Sequence, residues 1–152
     1  MQETPFLRLV SGRRSIRRYK PLPVEKEKLL ACVEAARLAP SACNAQPYKF
    51  VVVTDPAQKA RLAEAAFSGL YAQSGFAAQA GALVVVLARK GKLTAWLGNQ
   101  VRDTNFRLID IGIAGEHFAL AAEEQGLATC WLGWFNAEAA AKAINAPAGC
   151  KA

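Results

Sequence analysis

Arg13-Arg14-Ser15-Ile16-Arg17-Arg18-Tyr19-Lys20 packs five cations and one serine hydroxyl into eight residues. A run this dense repels itself and calls for an anion. Arg presents planar forks of N–H donors that suit a phosphate, and Ser15 adds a short neutral donor. Upstream, Thr4-Pro5 reads as a helix cap followed by proline at the first helical position. Phe6, Leu9 and Val10 recur at i, i+3 and i+4, and Gly12 closes the helix. The basic run therefore sits on a loop behind a short helix, and Pro21-Leu22-Pro23 keeps the chain extended after it.

Further along, a helix is predicted from about Val24 to Ala39, with Leu29, Cys32, Val33 and Ala36 as its buried stripe. Pro40 stops it, and the polar loop Pro40-Ser41-Ala42-Cys43-Asn44-Ala45-Gln46-Pro47-Tyr48 leads into Phe50-Val51-Val52-Val53, a strand buried on both faces. Asp55-Pro56-Ala57-Gln58 has the spacing of a capping box and opens a helix carrying Leu62, Ala65, Ala66 and Phe67. Residues 68–81 show no clear period. Ala82 to Leu87 is a second buried strand, and Lys90-Gly91-Lys92 a turn. One long apolar helix runs from about Thr104 to Gln125, with Phe106, Ile109, Ile113, His117, Leu120 and Ala121 at helical spacing. Gly112 and Gly115 within it each cost roughly 1 kcal/mol against Ala, so they are expected to admit another backbone. A helix apolar all round belongs in the middle of something, such as a dimer. Thr129 to Phe135 is a third strand or extended segment, and Asn136 caps a short helix, Ala137 to Ile144. The sum is a mixed α+β domain.

The length of 152 residues suits a single domain, 1–152, able to bury roughly 70% of its unfolded surface. The net charge of +7 suits an anionic ligand: nucleotide, nucleic acid, acidic substrate or membrane surface. Cys32, Cys43, Cys130 and Cys150 are too far apart for C-x-x-C, and a single histidine leaves no zinc pattern. Four reduced thiols in a cytoplasmic protein are expected. Met1-Gln2-Glu3-Thr4 leads straight into a polar helix start, so no signal peptide is expected, and no apolar run reaches the ~20 residues that span a bilayer.

No G-x-S-x-G, H-E-x-x-H, P-loop or G-x-G-x-x-G is present, and nothing in the spacing supports a Cys43–His117 dyad. If the protein is an enzyme, a bound cofactor carries the reaction. Three segments then matter together: the anion-binding run 13–20, the polar loop 40–48 with Ser41, Asn44 and Gln46, and the Trp/Leu/Gly/Trp segment 130–135. These are the parts of a nucleotide-like cofactor site. Each also has a plain reading: a solvated basic face, a helix-to-strand turn, and core tryptophans.

The order Arg-Arg-Ser-Ile-Arg-Arg-Tyr, helix, Pro-Ser-Ala-Cys-Asn-Ala-Gln-Pro-Tyr-Lys-Phe-Val-Val-Val resembles the N-terminal half of the nitroreductase family of flavoproteins. The later Ala-Ala-Glu-Glu-Gln-Gly-Leu-Ala-Thr-Cys-Trp-Leu-Gly-Trp-Phe-Asn is similar to that family's second motif. The resemblance implies a nitroreductase-like mixed sheet of three or four strands in this chain, flanked by helices, with FMN held non-covalently at a homodimer interface. It implies that Arg13, Arg14, Ser15 and Arg17 hold the FMN phosphate and ribityl chain. Pro40, Ser41, Ala42, Cys43 and Asn44 would lie along the flavin, with Gln46 near it from the partner subunit. Trp131, Leu132 and Gly133 would face the ring, and Gln73 its polar edge. No residue is assigned a catalytic role, because the flavin carries the chemistry: NADH or NADPH reduces it, and a nitroaromatic, quinone, flavin or enone reoxidises it in ping-pong fashion. In the family a further strand and a C-terminal segment follow the counterpart of Cys150-Lys151-Ala152. The sequence stops about where that strand would begin, as a naturally minimal protein or a truncated product would, and without that segment the run at 13–17 would hold the phosphate largely unaided.

Two other readings stand beside this one. The short C-terminus allows a flavin-binding protein with little turnover, a carrier or a relic. The charge of +7 allows a nucleic-acid-binding domain, although Val-rich buried strands and a long apolar helix are not a groove-reading layout. A membrane partner is not expected.

Overall fold

The computed structural model describes residues 4–89 and 104–152, so the turn expected at Lys90-Gly91-Lys92 lies outside the described residues. Helix α1 (Pro5–Gly12) is capped as expected, with the Thr4 hydroxyl accepting the Leu7 amide at 3.2 Å. Its apolar residues are not buried: Phe6 is 63% exposed, and Leu7 and Val10 are exposed as well. Helix α2 (Lys26–Arg37) buries Leu29, Cys32 and Ala36, with Val33 half-buried.

Strand β1 (Tyr48–Val53) pairs antiparallel with β2 (Leu83–Arg89), placing Phe50 opposite Val86 and Val53 opposite Leu83. Both strands are largely half-buried in the single chain, and the fully covered positions are Val53, Leu83 and Leu87. Removing the Leu87 side chain would cost about 2–5 kcal/mol. Between the strands lie α3 (Pro56–Phe67), whose Asp55 cap accepts the Gln58 amide at 2.8 Å, and a 3-10 segment, Gly69–Gln79, where no period was legible.

The third strand is β3 (Cys150–Lys151), antiparallel to β2 with Ala88 opposite Lys151. Of the two readings of 129–135, strand or extended segment, the second holds, and among the described residues its one sheet-like contact is a parallel bridge from Thr129 to Ser15. That bridge is the parallel pairing among the described residues; the three-stranded sheet is antiparallel throughout.

Helix α4 (Phe106–Glu124) packs along α2, and α5 (Ala137–Ala143) packs on α3. The buried stripe of α4 is Asp110, Ala114, Gly115, Ala119 and Ala122; Ile109 and His117 are exposed. An all-round apolar helix gives periodicity nothing to select, and close packing then favours the smallest side chains. One core lies between the sheet, α3 and α5 around Val53, Leu62, Ala66, Leu83 and Ala140. A second, around Ala36, Ala39 and Ala114, joins α2 to α4, where Phe50 stacks on Phe118 with centroids 5.6 Å apart. Among the described residues no helix is long and apolar enough to cross a membrane.

Candidate functional site

Two of the three segments singled out in the sequence meet in the fold. The Ile16 amide donates to the Thr129 carbonyl at 2.9 Å, so the basic run lies beside the strand-like start of the Trp-Leu-Gly segment. Tyr19, Thr129, Cys130, Trp131 and Leu132 then share the lining of a mostly apolar cavity of about 420 Å³ that extends under β2 and α4. Its volume falls in the usual range for small-molecule sites. Burial pushes the Tyr19 hydroxyl up to about 12, with the nearby Cys130 adding to the shift and Arg17 opposing it. The phenol therefore stays a neutral hydrogen-bond donor at ordinary pH.

Within the basic run, Arg13 is half-buried and its Nε stands 3.5 Å from Glu116 Oε1 on α4. Arg14 is exposed; its Nη1 donates to the carbonyls of Ser11 and Arg13. Arg17 Nη1 donates to the Ser15 carbonyl at 3.3 Å, and both residues are exposed. Among the described residues, neither Arg14 nor Arg17 forms an ion pair with a carboxylate.

Trp131 owes its seat to Gly115. A Cβ at position 115 would fall 1.9 Å from the indole, so the neighbour admitted by this glycine is a ring and not a backbone. Gly112 has nothing within 4 Å of the corresponding point. Trp131 remains 49% exposed, Leu132 is half-buried against the core, and Gly133 has open space around it. One residue on, Trp134 ties the segment to the 3-10 stretch. Its indole N–H donates to the Leu70 carbonyl at 3.0 Å, and its carbonyl accepts from the buried Ser74 hydroxyl at 2.6 Å. Its ring leans on Tyr71 at 5.4 Å. Gln73, next to Ser74, is exposed on that stretch.

The loop at 40–46 stands elsewhere. Pro40, Cys43, Asn44 and Gln46 are exposed, while Ser41 and Ala42 are half-buried. Cys43, Asn44 and Gln46 have φ of 53°, 50° and 43°. Each non-glycine residue held there costs about 1–3 kcal/mol and persists only where its surroundings over-determine it. The restraints are local bonds, such as Gln46 N to the Ser41 hydroxyl at 3.0 Å, and one distant bond: Ala42 N to Asp110 Oδ1 at 2.9 Å. The Tyr48 hydroxyl, held above its usual range by burial and then by the Asp110 charge, bonds the Ala36 carbonyl at 3.4 Å.

Asp110 faces this loop and Gly115 faces Trp131. Five residues of α-helix separate them, which is about 7.5 Å of rise and roughly 140° of rotation. One chain thus presents the loop and the Trp-Leu-Gly segment on different sides of α4. Asp110 and Glu116 were missed in the sequence. A lone acid amid Ile109, Ile111 and Ile113 was a signal for Asp110; nothing marked Glu116. His117 bonds the Ile113 carbonyl of its own helix at 2.9 Å, which accounts for its ring nitrogen without chemistry. The four cysteines are free thiols.

The family model described as the nitroreductase family matches residues 10–151. A Thermus thermophilus NADH dehydrogenase is 58% identical over 55 residues, 36% of this chain; the matched stretch spans 27% of that relative. An Archaeoglobus fulgidus protein provisionally named an NADH dehydrogenase/NAD(P)H nitroreductase is 31% identical over 139 residues, 91% of this chain and 73% of the relative. Among solved structures, an FMN-dependent nitroreductase from Clostridium difficile superposes with a TM-score of 0.74 at 27% identity, covering 94% of this chain and 80% of that one.

Proposed function

The chain belongs to the nitroreductase family, and from that premise we propose that it is an FMN-dependent oxidoreductase serving NADH or NADPH and a small organic acceptor, the two using one pocket in turn. The acceptors in view are nitroaromatics, quinones, free flavins and enones. The observation that carries the reading is the Ser15–Thr129 bridge, which sets an arginine-rich loop beside an exposed tryptophan and an open glycine.

The residues fit this cofactor. Among the described residues Arg14 and Arg17 donate to backbone carbonyls alone, and a phosphate would provide the counter-ion their charge lacks there. Each charge-assisted bond of this kind is worth about 1.5–3 kcal/mol. Arg13, Arg14, Ser15 and Arg17 would hold the phosphate and ribityl chain. Trp131, Leu132 and Gly133 would face the ring, the open backbone at Gly133 offering an N–H without a side chain in the way. Gln73, carried on the stretch anchored by Trp134, would meet the polar edge. Bound FMN would supply the hydride chemistry, and the protein's share is orientation, exclusion of water and hydrogen bonding.

Pro40, Ser41, Ala42, Cys43, Asn44 and Gln46 would reach the ring from a second copy of the chain. The roughly 140° between the two faces of α4 supports a site shared across a homodimer. So do the exposed apolar side chains of Phe6 on α1 and Leu108 and Ile109 on α4. Four free thiols accord with a cytoplasmic setting.

The test is a visible spectrum of the purified protein loaded with FMN, before and after anaerobic NADH or NADPH. Bleaching, with recovery on adding a quinone, is expected. A protein that takes up no FMN overturns the reading. Stoichiometric FMN that neither nicotinamide bleaches makes it a flavin-binding protein without turnover.

A further inference from the structure

Asp110 is 4% exposed, and among the described residues no lysine, arginine or histidine pairs with it. A carboxylate buried without a cation is expensive to keep. Its hydrogen bond spans 68 residues of sequence to reach the amide of Ala42. Ala42 opens the 3-10 turn Ala42–Asn44, which is followed at once by Ala45 and Gln46. Three of these residues hold left-handed backbone without being glycine, and all three are exposed. An exposed loop kept strained by a buried anchor is the arrangement expected where side chains are being held for a ligand.

We propose that Asp110 is a positioning residue: by accepting the Ala42 amide, it clamps the 41–46 loop to α4 so that Ser41, Asn44 and Gln46 meet the flavin ring in a fixed geometry. This rests on the reading that the loop lies along bound FMN. Asn44 N to Ser41 O at 2.9 Å and Ala45 N to Ala42 O at 3.0 Å are internal to the loop, and Gln46 Nε2 donates to the Arg37 carbonyl at the end of α2 over a long 3.5 Å. The internal bonds set the loop's shape; its hold on α4 is the shorter Ala42–Asp110 bond. Among the described residues Tyr48 also feels the Asp110 charge; it enters from β1 and bonds the Ala36 carbonyl.

The test compares Asp110→Ala and Asp110→Asn with the wild type in three readouts: hydrogen exchange of the Ala42 amide without cofactor, FMN affinity, and visible circular dichroism of the bound flavin. Asp110→Ala should speed Ala42 exchange about tenfold, weaken FMN about tenfold and alter the dichroism. Asp110→Asn keeps an oxygen acceptor and should stay near the wild type in all three. A folded Asp110→Ala with wild-type FMN affinity and dichroism overturns the proposal while the functional reading stands. Should Asp110→Ala fail to fold, Ala42→Pro deletes the donor and leaves the carboxylate in place. Ser41 has the extended backbone (φ −144°, ψ 151°) that a following proline needs. Unchanged FMN binding in that variant likewise overturns the proposal. A wild type that takes up no FMN removes the functional reading and this proposal together.

Discussion

A Cβ built on Gly115 lies 1.9 Å from Cζ2 and 2.1 Å from Cη2 of Trp131, so the indole occupies the space that any larger residue would need. Gly115→Ala must therefore displace the ring or the helix. Overpacking of this kind costs about 1–3 kcal/mol. The expected result is a lower urea midpoint, changed tryptophan emission and poorer FMN retention. Gly112→Ala meets nothing within 4 Å and should gain up to about 1 kcal/mol of helix stability. Destabilisation at 112 instead would show that something beyond the described residues packs against that point.

The cations of the basic run are not equivalent. Arg13→Ala or Arg17→Ala should weaken FMN by about 10-fold to 100-fold, the equivalent of one charge-assisted bond. Lys20→Ala should leave it within a few-fold. Equilibrium dialysis of FMN against the three variants decides this, and equal retention in all three would mean that the run was misassigned.

Glu116 holds Arg13 Nε at 3.5 Å with both side chains partly exposed. Solvent screens such a pair, so Glu116→Gln should change stability by under about 1 kcal/mol. The denaturation midpoint should barely move, and FMN retention should not fall, because the guanidinium loses a competing carboxylate. A large loss of stability would show that the pair anchors the loop.

Tyr19 makes stability depend on alkaline pH. Its hydroxyl titrates at about 12 when folded, against an ordinary value of 10. Above pH 10 the unfolded chain releases this proton while the folded one keeps it, so this contribution is complete below 10 and is lost as pH rises toward 12. Tyr19→Phe should flatten the fall in stability over that window. Tyrosinate absorbance of the native protein should show one of its three tyrosines ionising near pH 12, a step missing in the variant.

The short α5 depends on its cap. The Asn136 side chain accepts the Ala139 amide at 3.0 Å, and its own amide donates to the Ala66 carbonyl at 2.9 Å. Asn136→Ala should cost about 1 kcal/mol, read from chemical denaturation.

Caps, breakers and strands were legible because each is decided within a few residues: Thr4, Asp55 and Asn136 bond their helix amides as their spacing implies. The α+β class followed from Val-rich strands set among helices. What was not legible depends on contacts between distant residues. The buried face of α4 could not be chosen among isoleucines by period, and it is set by alanines against α2. The 3-10 stretch Gly69–Gln79 takes its seat from Trp134, far along the chain. Among the described residues the strand or extended segment expected at 129–135 finds no sheet neighbour beyond Ser15, while Cys150-Lys151, with little strand signal of its own, is paired because β2 has a free edge. At the site, the basic run and the Trp-Leu-Gly segment were both visible, but their meeting was not, and Asp110 hid inside an apolar helix.

The bridge between Ser15 and Thr129 joins residues near opposite ends of the chain. Closing so long a loop carries an entropic cost that the intervening structure must offset, so this contact is expected to form late. During synthesis the arginines emerge early, yet they acquire their neighbours only after Thr129 has left the ribosome and α4 has docked. If the run at 13–17 holds the flavin phosphate, cofactor capture would be a finishing step of folding. Flavin supply would govern how long the newly made chain stays in its least protected form.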